Sequence, residues 1–109
     1  MGETVSIDLI QFRPLGAHQD GLAINTAKDL FADATPTYAS FTGFKPTKIM
    51  LQVHTQNARY RLDGTAPTTS AGFQLKAGDP PIILSIVGIT SLKVIEEAAS
   101  ADLQMQWGF

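Results

Sequence analysis

The sequence predicts an all-β fold, a single antiparallel β-sandwich or jelly-roll-like barrel of about seven strands. Three observations carry that expectation. Apolar and polar residues alternate with period two in several short runs, the pattern of half-buried strands. Turn signals built from Gly, Pro and Asp separate those runs. The 109 residues fit one domain, spanning 1–109, with enough chain to bury a core without staples.

Taken in order, "TVSIDLI" places Val5, Ile7 and Leu9 on one face and Thr4, Ser6 and Asp8 on the other. Turn signals follow at Pro14 to Gly16 and at Asp20-Gly21. In "NTAKDLFADA", Asn25 or Thr26 can cap a turn or two of helix that Pro36 ends, or the stretch is a loop carrying Leu30 and Phe31 inward. Residues 25–47 are therefore expected to form a long loop or short helix, and connections of that length are commonly functional or partner-bound. "TKIMLQVHT" sets Ile49, Leu51 and Val53 against Lys48, Met50, Gln52 and His54. "ARYRLD" alternates Ala58, Tyr60 and Leu62 with Arg59, Arg61 and Asp63. "IILSIV" is apolar on both faces and reads as a strand covered on both sides. In "SLKVIEE", Leu92 and Val94 stand opposite Lys93 and Ile95, and in "DLQMQWGF" Leu103, Met105 and Trp107 stand opposite Gln104 and Gln106.

Asp63-Gly64 interrupts its run as a turn, because glycine reaches positive φ without steric cost. Asp63 can accept hydrogen bonds from turn amides, Thr65 and Thr68 can tie side chain to backbone, and Pro67 stiffens the loop. Asp63, Gly64, Thr65 and Pro67 are the expected structural turn.

Composition narrows function by exclusion. Eight Lys and Arg against ten Asp and Glu leave a formal charge of −2, without the basic stripe of a nucleic-acid surface. No cysteine is present, which excludes disulfides and thiolate metal sites and suits a reducing cytoplasm. "PPIILSIVGI", the most apolar run, is far short of the ~20 residues that span a bilayer. His18 and His54 lie in no metal-ligand spacing, no Ser sits in a G-x-S-x-G elbow, and adjacent Glu96 and Glu97 point to opposite faces of a strand. Gly64, Gly72 and Gly78 are isolated turn glycines rather than a phosphate loop. The expectation is a protein that is not an enzyme and needs no cofactor or metal. Only 17% of residues are charged, against about 25% in typical soluble domains, so the surface is easily desolvated, as interface cores are.

Tyr60, Asp63, Gly64, Thr65, Pro67 and Thr68 form a Y-x-x-D-G-T-x-P-T pattern, and Gly72, Leu75, Ala77, Gly78 and Asp79 a G-x-x-L-x-A-G-D step. With the strand before and "LQMQWGF" after, residues 48–109 resemble small phage virion structural proteins of the head decoration or cement type. The same hairpin resembles chitobiase C-terminal-like β-sandwich modules, which accompany carbohydrate-active enzymes. The first resemblance implies a capsid decoration subunit, made in the host cytoplasm and sited on the capsid surface of the virion. Its partners would be the major capsid protein and copies of itself, with no nucleic acid and no membrane. The alternatives are a glycan-binding or adhesion module at a head-fibre base, and a tail or connector component. Large aromatics anchor interfaces best, so Tyr38, Phe41, Phe44, Trp107 and Phe109 are the candidate partner contacts. Trp107 alternates with Leu103 and Met105 and belongs to core or interface rather than to a sugar platform.

Overall fold

Two antiparallel four-stranded sheets pack against each other in the computed structural model, which describes residues 11–109. The expected strand at residues 4–10 lies outside the described residues. In chain order the elements are β1 (Gln19–Leu22), β2 (Lys28–Asp29), a one-turn helix α1 (Leu30–Asp33) and a 3₁₀ turn (Tyr38–Ser40). Then come β3 (Lys48–His54), β4 (Ala58–Arg61), β5 (Phe73–Leu75), β6 (Ile82–Ser85), β7 (Lys93–Glu96) and β8 (Asp102–Gly108). One sheet has the order β1-β8-β3-β6 and the other β2-β7-β4-β5. The all-β sandwich expected of about seven strands is thus present, with eight strands among the described residues; the two short strands β2 and β5 make no alternation long enough to read.

The core follows from register. β3 pairs with β8 from Lys48↔Gly108 to His54↔Asp102, which sets Ile49, Leu51 and Val53 beside Trp107, Met105 and Leu103. All six are at most 1% exposed. Burial of each such side chain favours folding by roughly 1.5–3 kcal/mol. The second sheet adds Ala58, Tyr60, Leu75 and Val94 from above. The opposite parity, Met50, Gln52, Gln104 and Gln106, faces outward as a weakly charged surface.

Residues 25–47 correct one expectation. The cap of α1 is Asp29, not Asn25 or Thr26: its Oδ1 accepts from the N–H of Phe31 (3.1 Å) and of Leu92 (3.3 Å). Lys28 and Asp29 pair with Val94 and Lys93 of β7, so the chain is extended up to Asp29 and the helix starts only beyond it. Leu30 is fully buried and Phe31 packs on the core, both carried inward as the loop alternative required.

"IILSIV" corrects another. β6 is the last strand of its sheet, with Ile82, Ile83 and Leu84 half-buried and Val87 73% exposed. An apolar run without a polar face is consistent with a covered strand, but periodicity carries no information about how many neighbours the strand has.

At the corner, β4 and β5 pair through Tyr60↔Phe73, and residues 62–72 bulge between them. Gly64 has φ of +87° with nothing within 4 Å of a would-be Cβ. Gly72 has φ of +125°, and a Cβ there would stand 2.9 Å from the Tyr60 carbonyl oxygen and 3.2 Å from Pro67 Cβ. Gly64→Ala should cost about 1–2 kcal/mol, the strain of left-handed backbone alone. Gly72→Ala should cost clearly more, because the Tyr60 carbonyl belongs to a paired strand and cannot retreat. Urea melts of the two variants check this; equal destabilisation would refute the packing assigned to Gly72.

Candidate partner-binding surface

The expected contacts all lie at one end of the sandwich. Residues 37–47 cross that end, and Trp107 anchors their approach from below. Its indole Nε1–H donates to the Pro36 carbonyl (2.7 Å), and its ring meets Phe31 and Tyr38 edge-on at 5.5 and 5.7 Å between centroids. Trp107 is fully buried, so it is withdrawn from the partner contacts; it holds the end together from inside. The parity it shares with Leu103 and Met105 is the physical reason.

Phe41 is half-buried and plugs the end. A Cβ on Gly16 would stand 2.9 Å from its Cζ, so glycine at 16 leaves room for the ring. Tyr38 is half-buried beside Phe31 at 4.8 Å, and the Lys45 ammonium lies 5.2 Å from its ring centroid. Phe44 differs: it is 55% exposed, resting edge-to-face on half-buried Phe109 at 4.8 Å and 84°.

Thr47 joins this pair to a second exposed residue. Its N–H donates to the Gly108 carbonyl and its own carbonyl accepts from the Ile86 N–H, both at 2.9 Å. The adjoining Val87 therefore stands at the same end as Phe44 and Phe109. Beside them, Phe31, Tyr38, Thr37, Ile89, Thr90 and Asp29 line a cleft of about 730 Å³. The signal that would have found Val87 was absent, since it is the last residue of "IILSIV", an apolar run that reads as covered.

The corner at 61–72 is self-contained. Arg61 donates twice to Asp63 (3.1 and 2.5 Å), and the Thr65 N–H donates to Asp63 Oδ1 (3.1 Å). Those bonds, Arg61 first, hold the Asp63 carboxyl below its ordinary range. Pro67 is buried, and the Thr68 hydroxyl accepts from the Ser70 N–H (3.3 Å). Asp63 and Gly64 bend the chain here, and Thr65 takes part through its backbone N–H rather than its hydroxyl.

No family model, curated protein or solved structure matches the chain. Function is therefore read from local geometry and from the hairpin pattern.

Several other polar groups are engaged within the fold, whereas the buried Ser91 hydroxyl has no hydrogen-bond partner among the described residues. His18 Nε2 lies 2.6 Å from Gln104 Oε1. Glu96 accepts from the Ala101 N–H (3.0 Å), whereas its neighbour Glu97 accepts from Arg59 (2.7 Å) and Gln74 (2.8 Å). Among the described residues no three His, Asp or Glu side chains are placed to hold a metal ion, and no helix is long and apolar enough to cross a membrane.

Two outcomes are expected. Phe44→Ala should change stability by no more than about 1 kcal/mol, as exposed substitutions do. Phe41→Ala should cost about 2–3 kcal/mol, below the full-burial cost of a Phe truncation because the ring is half-exposed. Thermal melts separate them, and a large loss in Phe44→Ala would make Phe44 a core residue. For Glu97, the Gln74 bond first and Arg59 second lower the folded-state value. Its contribution is then present above the unfolded carboxyl value and lost as pH falls through the lower folded one. Acidification should therefore lower the melting temperature less in Glu97→Gln than in the parent, a difference that vanishes if the Arg59–Glu97–Gln74 group does not form in solution.

Proposed function

We propose that the protein is a bacteriophage virion structural protein, a capsid decoration or cement subunit that binds and stabilises the assembled shell. The observation that carries the binding half of this reading is the apolar end made by Phe44, Phe109 and Val87. Exposed Phe44 and Val87 with half-buried Phe109, on an otherwise weakly charged surface, mark a contact site, because their burial against a partner costs little desolvation. The virion half rests on the Tyr60 to Thr68 hairpin pattern and its following step. A subunit that binds only the assembled shell stabilises it by mass action and needs no chemistry of its own. The major capsid protein is the partner this reading names.

A second reading has one observation in its favour. The cleft beside Phe31 and Tyr38 combines aromatic faces with Asp29, Thr37 and Thr90, the mixture that glycan recognition uses. Lys45 over the Tyr38 ring works against it, since a sugar platform needs an open face.

Mass spectrometry of purified virions, with copy number, tests the first reading. Copies on the order of hundreds per particle are expected of a shell subunit in a symmetric capsid. About a dozen would move the protein to the tail or connector, where rings of that size occur. None would overturn the virion assignment. On capsids, Phe44→Ala should weaken binding by at least ~2 kcal/mol, as interface anchors do, while its melting temperature stays that of the parent.

A further inference from the structure

The two sheets end in four edge strands among the described residues, and three carry the protections that edges need against pairing with another chain. β1 has a register break between Asp20 and Leu22, with Gly21 at φ of +76°. β2 is two residues long, and β5 is three residues long and runs into Lys76. β6 has none of these. It pairs with β3 in unbroken register from Lys48↔Ser85 to Leu51↔Ile82, and "IILS" contains no charge and no proline.

The ladder fixes what this edge offers. Because the Ile86 N–H donates to the Thr47 carbonyl, antiparallel alternation turns the backbone groups of Leu84 and Ile82 toward β3. Those of Ile83 and Ser85 point the other way, to the open side. Side-chain parity adds the second half. Ile82 and Leu84 face the core beside Leu51 and Ile49 yet remain half-buried. Leu75 of β5 lines the same crevice as Ile82, so the edges of the two sheets stack on one flank. Phe73 of β5, 64% exposed, stands at the corner beside Arg61 and Asp63. The β6 strip is apolar and uncharged, and among the described residues its outward backbone groups have no partner; Lys76 and Asp79 line the crevice beside it.

We propose that this edge seats a second copy of the same chain, with β6 pairing antiparallel to the partner's β6 about a two-fold axis through Leu84. The strip is self-complementary in that register. Ile83 and the partner's Ser85 exchange both main-chain hydrogen bonds, and the symmetry-related pair repeats the exchange. Leu84 then packs on the partner's Leu84, Ile82 lies beside the partner's Ile86, and the two four-stranded sheets become one. Centring the pair on Ile83 instead would set Pro81, which has no N–H, opposite the partner's Ser85 and leave a carbonyl unpaired. A second copy fits better than a charged partner because the edge carries no charge to recognise one. The association does not depend on what the Phe44 end binds.

Light scattering of the full chain at increasing concentration, with and without Ile83→Pro, tests it. The parent should double in mass. Ile83→Pro removes only an N–H that faces the open side and no bond to β3, so it should stay folded and lose the dimer. Should that variant fail to fold, single cysteines decide, since the chain has none of its own. Leu84→Cys should crosslink to its mate on mild oxidation. Ile82→Cys should not, its Cα lying beyond the ~7 Å that a disulfide spans. A parent that stays monomeric at high concentration, a folded Ile83→Pro that still dimerises, or cysteines at 82 and 84 that crosslink alike would each overturn the proposal. A monomer whose Ile83 and Ser85 amides resist hydrogen exchange would assign the edge to another segment of this chain, and would overturn it too.

Discussion

The pairing of β3 with β8 is the constraint on which the rest of the sandwich depends. Both strands are seven residues long and central in their sheet, and each delivers every second residue to the core. A one-residue slip would send Trp107, Met105 and Leu103 to solvent and bring Gln104 and Gln106 inside, so the register is strongly specified. Trp107 extends that order beyond the sheet. With its ring fixed by β8 and its Nε1–H bonded to Pro36, the chain from α1 to Phe41 is laid across the end of the core. Phe44 lies outside this packing and rests instead on Phe109.

What was legible in the sequence follows the same logic. Period-two alternation is visible only where one face is wet and the other dry, which holds for β3, β4 and β8. The inward parity of Trp107 could be read beside Leu103 and Met105, and the corner at Asp63-Gly64 could be read because positive φ singles out glycine. β2 and β5 are too short to alternate. The cap of α1 moved to Asp29 because pairing with β7, a contact distant in sequence, holds Lys28 and Asp29 extended. β6 was unreadable as an edge, since an apolar strip looks the same whether a neighbour covers it or not. In the candidate surface the loop aromatics were named, but nothing periodic in 37–47 separates exposed Phe44 from inserted Phe41.

The hairpin pattern and the exposed surface make different kinds of statement. In the corner at 61–72, Asp63 is bonded to Arg61 and to the Thr65 N–H, Pro67 is buried, and Gly72 lies against the Tyr60 carbonyl. Asp63, Pro67 and Gly72 are explained by the corner they build. A pattern that is used in making a β-corner can recur wherever that corner recurs, so it carries architecture more firmly than activity. The surface proposed for binding lies elsewhere, in 37–47, in the turn after β6 and at the end of β8, where Phe44 and Val87 are exposed.

The two apolar surfaces also constrain each other. The β6 flank runs along the strands, whereas the Phe44, Phe109 and Val87 group caps one end of them. An antiparallel two-fold pair through β6 reverses the strand direction between copies, so the two apolar ends point in opposite directions along the sheet. Such a dimer cannot bring both ends down on one flat surface, and it would gain no avidity there, because simultaneous engagement is geometrically forbidden. It could instead join two separate partner sites, one at each pole. If both proposals hold, binding of a single shell face by both copies and pairing through β6 are therefore mutually exclusive arrangements of the same chain.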